Sequence, residues 1–223
     1  NMQVHSAYDL LNSTIKYENL FSKLVKDNQK SVVIVDPNMY GAIKAYKASR
    51  KAGINLIQGL EVNLGYGIGF LKFNLLCKTE EMFYKLLEIS TKLMNGEEWT
   101  VEDFSNDIID YREDFVLIVV DELRDSIEFS YLKNLLSKYD FYFGFNESFQ
   151  VGLYSDFDNI VYTKPSFYLN KEHYQQVIVS RAIRDNKKLN IQELTTISGE
   201  DFVREQKDFE EILALGDEEL YAI

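Results

Sequence analysis

The sequence predicts an α/β fold, because short β-branched runs alternate along the chain with amphipathic segments at helical spacing. Six runs are predicted strands: 31–35, 54–62, 70–77, 115–120, 141–145 and 159–163. The run Phe115–Val120 has no polar side chain, which favours a sheet that is covered on both faces. The strand–helix alternation favours parallel strands joined by right-handed crossovers. We therefore predict a distorted (β/α) barrel with six or seven largely parallel strands, with an open doubly wound sheet as the alternative.

Five segments with apolar residues at i, i+3 and i+4 are predicted helices: 13–28, 38–52, 79–94, 126–139 and 170–185. Gly53 follows the second of these as a C-cap, since glycine tolerates the left-handed conformation that ends many helices. Thr79 and Asn170 are the predicted N-caps of the third and fifth. The segment 95–112 is rich in Asp and Glu, and we interpret it as an acidic insertion that forms a surface helix.

Charge and composition exclude several classes of function. The net charge is −12, from 24 basic and 36 acidic residues, so direct nucleic-acid binding is not expected. The tyrosines and phenylalanines fit core and interface packing better than base stacking, because interleaved basic residues are scarce. The sequence has no apolar stretch of membrane-spanning length, and no membrane association is expected. The single Cys77 cannot form an internal disulfide, which is typical of a cytoplasmic protein.

Only two histidines occur in 223 residues, and one of them lies in a patterned stretch. Gln3-Val4-His5 has the spacing of a His-x-His metal-binding pair whose first member is replaced. The loop after the first predicted strand has the character of a metal-binding turn in which Asp36 is followed by Pro37 instead of a histidine. This pattern indicates an enzyme scaffold that has lost most of its ligands.

The chain resembles the PHP (polymerase and histidinol phosphatase) domain at the N-terminus of the bacterial DNA polymerase III alpha subunit. The residues that carry the resemblance are Val4–Ile15, Asn38–Ala42, Tyr46–Ala48, Lys51–Ile54, Gly59–Val62, Leu76–Glu81, Tyr168–Glu172 and Ala182–Asp185. The resemblance covers most of the chain and is weakest from about 95 to 160. It implies a PHP-type distorted barrel.

The resemblance also implies where metal ligands would lie. Active PHP domains hold metal ions through histidines and carboxylates at strand ends and use them to activate water for phosphoester hydrolysis. The retained positions are His5, Asp36 and Glu61, and the substituted positions are Gln3, Pro37, Lys72, Pro165 and Phe167. We expect no catalytic residue and no bound metal here, with His5 hydrogen-bonded to Asp36 or Glu61. The alternative is one weakly bound metal. Lys72 could supply the counter-charge that a metal would give.

The resemblance implies that the parent is a DNA polymerase III alpha subunit, a nucleotidyltransferase of DNA replication that uses Mg²⁺ in a separate polymerase domain. This chain is then a catalytically inactive structural or docking module. Its expected partners are the rest of the polymerase chain and possible docking subunits, namely a proofreading exonuclease or another replisome subunit. Two alternatives stay open: a residual metal-dependent phosphoesterase or proofreading nuclease, and a stand-alone PHP-like interaction protein.

For the domain organisation we expect residues 1–223 to form a single PHP-like domain. Within it, 200–223 would begin the connection to the polymerase body, because the sequence breaks off in an apparent helix without a stop signal.

Overall fold

The computed structural model describes residues 1–67, 69–120, 132–146, 159–189, 199–205 and 207–209. The chain divides into two compact units. The first unit comprises 1–36, 40–56 and 164–223, and the second comprises 37–39 and 57–163. Each unit is described by itself below, and the expectation of a single domain over 1–223 stays a prediction.

Six strands alternate with helices along the described residues. The strands are β1 (Ser31–Asp36), β2 (Asn55–Tyr66), β3 (Gly69–Cys77), β4 (Phe115–Val119), β5 (Phe141–Phe145) and β6 (Ile160–Tyr162). The helices are α1 (Tyr17–Lys26), α2 (Ala42–Ala52), α3 (Glu80–Met94), α4 (Val101–Asp107) and α5 (Tyr174–Arg184), with 3-10 turns at Ile109–Tyr111 and Lys171–His173. None of the described helices is long and apolar enough to cross a membrane.

The predicted α/β class and the six predicted strands are confirmed. Of the predicted helix at 126–139, residues 132–136 are helical, and residues 126–131 lie outside the described part of the chain. Thr79 caps α3 as predicted, since its hydroxyl accepts a hydrogen bond from the backbone N–H of Met82. The side chain of Asn170 makes no capping bond, because a 3-10 turn separates it from the first residues of α5.

The strand directions in the second unit are mixed rather than largely parallel. β2 and β3 form an antiparallel hairpin that runs from Gly59 opposite Leu76 to Tyr66 opposite Gly69. β3 pairs with β4 antiparallel, whereas β4 with β5 and β5 with β6 are parallel. The hairpin explains the difference, because the two residues between β2 and β3 are too few for the crossover that a parallel pair requires.

The acidic segment 95–112 has a buried apolar side as well as an exposed acidic one. Val101, Phe104 and Ile108 are at most 2% exposed, whereas Glu102 and Asp103 on the same turns are exposed. α4 begins with a capping box, in which Thr100 and Asp103 bond each other's backbone N–H groups. The segment therefore contributes to the core of the second unit, and the expectation of a purely surface helix was incomplete.

Short parallel segments give the first unit its frame. Val4 lies between β1 and a later segment, because it forms parallel bridges with both Ile34 and Ser166. A further parallel bridge joins Tyr168 to Phe202. α1 and α2 contact each other and enclose a core with β1 whose buried side chains are Val4, Ile15, Tyr17, Leu20, Phe21, Leu24, Val32, Ile34, Ala45, Ile54 and Val203. The sequence pattern did not predict these bridges of Val4.

We expect Gly53→Ala to destabilise the protein by about 1 kcal/mol, because residue 53 has φ +68 and a Cβ there is strained even in open space. Gly69→Ala is the matched control, since a Cβ at Gly69 also meets nothing within 4 Å and its φ is not positive. Urea unfolding of both variants measures the difference. Equal stabilities for the two variants would contradict the assignment of Gly53 as a left-handed C-cap.

Candidate functional site

Three residues of interest lie at one edge of the first unit because their segments run parallel. Asp36 is the last residue of β1, His5 follows Val4, and Phe167 follows Ser166. Val4 bridges both neighbours, and the N–H of His5 donates to the carbonyl of Ser166 at 3.0 Å. The carboxyl ends of parallel segments meet at one edge, which is where α/β proteins place their binding sites.

The carboxylate of Asp36 is 1% exposed and is held by groups of the opening loop and α1. The backbone N–H of Ser6 donates to Oδ1 at 2.6 Å, and the Ser6 hydroxyl donates to Oδ2 at 2.5 Å. The Tyr17 hydroxyl donates to Oδ2 at 3.4 Å. Burial raises the pKa of Asp36, although the two bonds from Ser6 and the charge of His5 oppose that rise.

Tyr17 is a stable neutral donor beside this carboxylate. Burial raises the pKa of the Tyr17 hydroxyl above its ordinary value, and the negative charge of Asp36 raises it further. The hydroxyl lies 3.0 Å from Ser6 Oγ, so all three residues form one buried network. Both carboxylate oxygens of Asp36 therefore have protein donors.

His5 is 1% exposed and contacts a carboxylate that the sequence reading did not select. Its Nδ1 lies 3.1 Å from Oδ2 of Asp9, four residues later in the same loop. The amide of Asn12 donates to the same oxygen at 2.7 Å and anchors the Asp9 side chain. The expectation was that Asp36 or Glu61 would bond His5, whereas the loop supplies Asp9.

Phe167 stacks on the His5 ring at a position where the resemblance puts a metal ligand. The ring centroids are 4.6 Å apart, with 26° between the ring planes. The guanidinium of Arg181 in α5 lies 4.5 Å from the Phe167 centroid, and its Nε donates to Asn12 Oδ1 at 3.0 Å. The Phe167 ring thus links the opening loop to α5, and it offers no lone pair to an ion.

The residues of this edge do not fit the metal cluster that active PHP domains use. Asp36 has both oxygens bonded, and neither Phe167 nor Pro165 has a side-chain atom that binds a metal. Gln3 is buried, and its backbone carbonyl accepts the backbone N–H of Ser166 at 2.8 Å. Within the ranges that the structure describes, no group of three or more His, Cys, Asp or Glu residues is placed to hold an ion.

Three further positions from the resemblance, Glu61, Lys72 and Pro37, lie in the second unit. Glu61 of β2 is opposite Asn74 of β3, and Lys72 is two residues before Asn74 on the same face. The ammonium of Lys72 lies 3.5 Å from Glu61 Oε1, and that it takes the place of a metal's charge stays a prediction. Pro37 directly follows β1 and has no side-chain donor. That His5, Asp36 and Glu61 converge stays a prediction.

Sequence reasoning missed Ser6, Asp9, Tyr17 and Arg181 as members of this network. For Asp9 a signal existed, because its spacing of four residues from His5 suits a local contact. Ser6 lay inside the quoted opening motif. Tyr17 and Arg181 carry no local signal, since they reach the site from α1 and α5 only through the fold.

We expect Asp36→Asn to gain stability relative to wild type as the pH rises. Because the pKa of Asp36 is raised in the folded state, the protonated carboxyl group stabilises the folded protein. That contribution is fully present below the ordinary pKa of 3.8 and is lost as the pH rises through the folded-state pKa. The asparagine at residue 36 does not titrate, so the unfolding free energy of the variant minus that of wild type should increase as the pH rises above about 4. Urea unfolding at several pH values measures this.

Asp110→Asn is the matched control for that experiment, because Asp110 is exposed on the 3-10 turn after α4. A difference from wild type that is no more pH-dependent for Asp36→Asn than for Asp110→Asn would refute the buried, destabilised carboxylate.

Phe167→Ala should lower the unfolding free energy by about 2 kcal/mol, because it removes the ring that stacks on His5 and carries Arg181. Phe70→Ala is the matched control and should change it by less than about 0.5 kcal/mol, since Phe70 is 66% exposed. Thermal or urea unfolding compares the two variants. If the two variants lower the unfolding free energy by the same amount, Phe167 does not connect the opening loop to α5.

The sequence is similar to longer bacterial proteins named DNA polymerase III subunit alpha. A relative from Staphylococcus epidermidis (strain ATCC 12228 / FDA PCI 1200) is 25% identical over an alignment of 230 residues that covers 95% of this chain and 21% of the relative. A Bacillus subtilis relative is 37% identical over 99 residues, covering 43% of this chain and 9% of the relative. The chain therefore spans about a fifth of the first of these relatives.

Solved structures and a family model also match this chain. A metal-dependent phosphoesterase, described as putative, from Bifidobacterium adolescentis matches 97% of this chain and 96% of its own at 12% identity and a TM-score of 0.42. An amidohydrolase from Chromobacterium violaceum matches 66% of this chain and 77% of its own at 9% identity and a TM-score of 0.44. The family model of the PHP domain matches residues 1–180. This chain, in which parallel segments end at one edge of the first unit, belongs to the PHP domain family.

Proposed function

We propose that this chain is the PHP domain of a cytoplasmic DNA polymerase III alpha subunit and acts as a structural and docking module without hydrolytic activity. The similarity to alpha subunits along 95% of the chain supports the parent assignment. The polymerising chemistry, with its Mg²⁺, would then belong to other parts of that protein. The partners would be the polymerase body together with a proofreading exonuclease or another replisome subunit.

One observation carries the proposed inactivity: the two retained ligand positions of the first unit are already occupied by protein groups. Asp36 accepts bonds from Ser6 on both oxygens, and the His5 ring is covered by Phe167. A hydrolytic metal cluster needs several convergent ligands to lower the pKa of water and to neutralise the developing charge. Binding an ion here would require these contacts to break first.

Stability supplies a reason for retaining the network after activity is lost. A buried carboxylate without donors costs several kcal/mol, so Asp36 can persist only together with Ser6 and Tyr17. In this interpretation the edge of the first unit is a rigid polar connection between the opening loop, β1 and α1. A rigid frame of that kind suits a module that presents surfaces to partners.

We expect metal-depleted protein to show no hydrolysis of bis(4-nitrophenyl) phosphate above background after addition of Mn²⁺ or Zn²⁺. The melting temperature should shift by less than about 1 °C, whereas a metal at about 100 times its Kd would add about 2.7 kcal/mol of stability. Asp36→Ala and Asp110→Ala are assayed in parallel. Mn²⁺-dependent turnover that Asp36→Ala abolishes and Asp110→Ala keeps would overturn the proposal in favour of a residual phosphoesterase.

A further inference from the structure

The outward face of α2 and Tyr40, two residues before the helix begins, expose large side chains in a row. Tyr40, Ile43 and Tyr46 are 68%, 59% and 58% exposed, at intervals of three residues, which places neighbours on adjacent turns. The opposite face of the helix, formed by Ala42, Ala45 and Ser49, is buried against the first unit. Single exposed apolar residues are common, whereas contiguous rows of them mark interaction sites.

The row continues across the start of the helix. The ring of Tyr8 lies against Gly41, where a Cβ would come within 2.6 Å of Tyr8 Cδ2. Tyr8 is 37% exposed and stacks on the buried Tyr17, with ring centroids 5.7 Å apart. The patch is therefore anchored to the core of the first unit through Tyr17.

Cations surround this row although the chain as a whole is acidic. α2 carries Lys44, Lys47, Arg50 and Lys51 and has no acidic residue, in a protein of net charge −12. Lys44 lies 3.3 Å from Glu18. Lys47, Arg50 and Lys51 are not ion-paired with any residue in the described ranges. Tyrosine and arginine are the residue types most enriched at energetically important interface positions.

We propose that Tyr8, Tyr40, Ile43 and Tyr46, together with Lys47 and Arg50, form a docking surface for an acidic amphipathic segment of a partner protein. This inference rests on the proposed docking function and adds the surface and the chemistry of the partner. Apolar side chains of the segment would cover Ile43 and the tyrosine rings. Its carboxylates would pair with Lys47 and Arg50 at the edge of the contact.

Charge and shape favour a protein segment over a nucleic acid. Stable DNA binding commonly neutralises several phosphates, whereas this surface offers three cations outside ion pairs on a strongly acidic molecule. Ile43 at the centre of the row can be covered by an apolar side chain but offers nothing to a phosphate or a base edge. An acidic segment also carries fewer charges than DNA, so the rest of this molecule repels it less.

The test measures fluorescence anisotropy of a labelled synthetic helical peptide of about 14 residues, with Leu and Phe on one face and Glu beside them. Ile43→Glu and the double variant Lys47→Glu/Arg50→Glu should each weaken binding by about tenfold or more. A peptide with Lys in place of Glu should not bind. Ile183→Glu is the matched control, since Ile183 is 65% exposed on α5, and it should change binding by less than about twofold.

Three outcomes of this experiment would contradict the proposed docking surface. Equal binding to wild type and Ile43→Glu, or no binding of the acidic peptide to wild type at about 1 mM, overturns it. Tighter binding of single-stranded oligo(dT) of about 20 nucleotides that the same variants abolish assigns the face to nucleic acid instead. Melting curves check that each variant folds. The metal-dependent hydrolysis assay is independent of this measurement, so failure of the docking surface and failure of the proposed inactivity are read separately.

Discussion

The buried carboxylate of Asp36 is the constraint on which the rest of the first unit depends. A carboxylate at 1% exposure is tolerated only with donors, and the Ser6 N–H and hydroxyl and the Tyr17 hydroxyl provide them. These bonds fix the opening loop and α1 onto the end of β1. They also explain a glycine nearby, since a Cβ at Gly41 would lie 2.2 Å from the Tyr17 oxygen.

The need of the buried Asp36 carboxylate for hydrogen-bond donors also bears on the proposed loss of hydrolytic function. Where an ion would compensate a buried acid, hydrogen bonds within the chain do so for Asp36, and the Phe167 ring covers His5. In the second unit the ammonium of Lys72 faces Glu61. These contacts differ in chemistry, being a hydrogen bond, an aromatic stack and an ion pair. Each gives a retained polar group a protein partner, which is what a scaffold requires and a hydrolase would avoid.

Acidic and basic side chains are distributed unevenly between the helices. Acidic side chains dominate the composition, and α4 places several of them on its exposed side. α2 instead combines four cations with the exposed ring of Tyr46, and the exposed Tyr40 lies just before the helix. The scarcity of basic residues among the aromatics argues against base stacking for the chain as a whole. At α2 the small residues face inward, whereas Tyr46 and the cations face outward.

The sequence by itself determined the class of fold, the positions of the six described strands and the Thr79 and Gly53 caps, since each depends on periodicity or local turn chemistry. Only the tertiary structure decided the antiparallel pairing of β3 with β2 and with β4, the parallel bridges of Val4, and the partners of His5 and Asp36. Tyr17, Arg181 and Phe167 are far from His5 in sequence, so no local pattern could assign their contacts. Strand direction and side-chain contact depend on which distant segments fold beside each other.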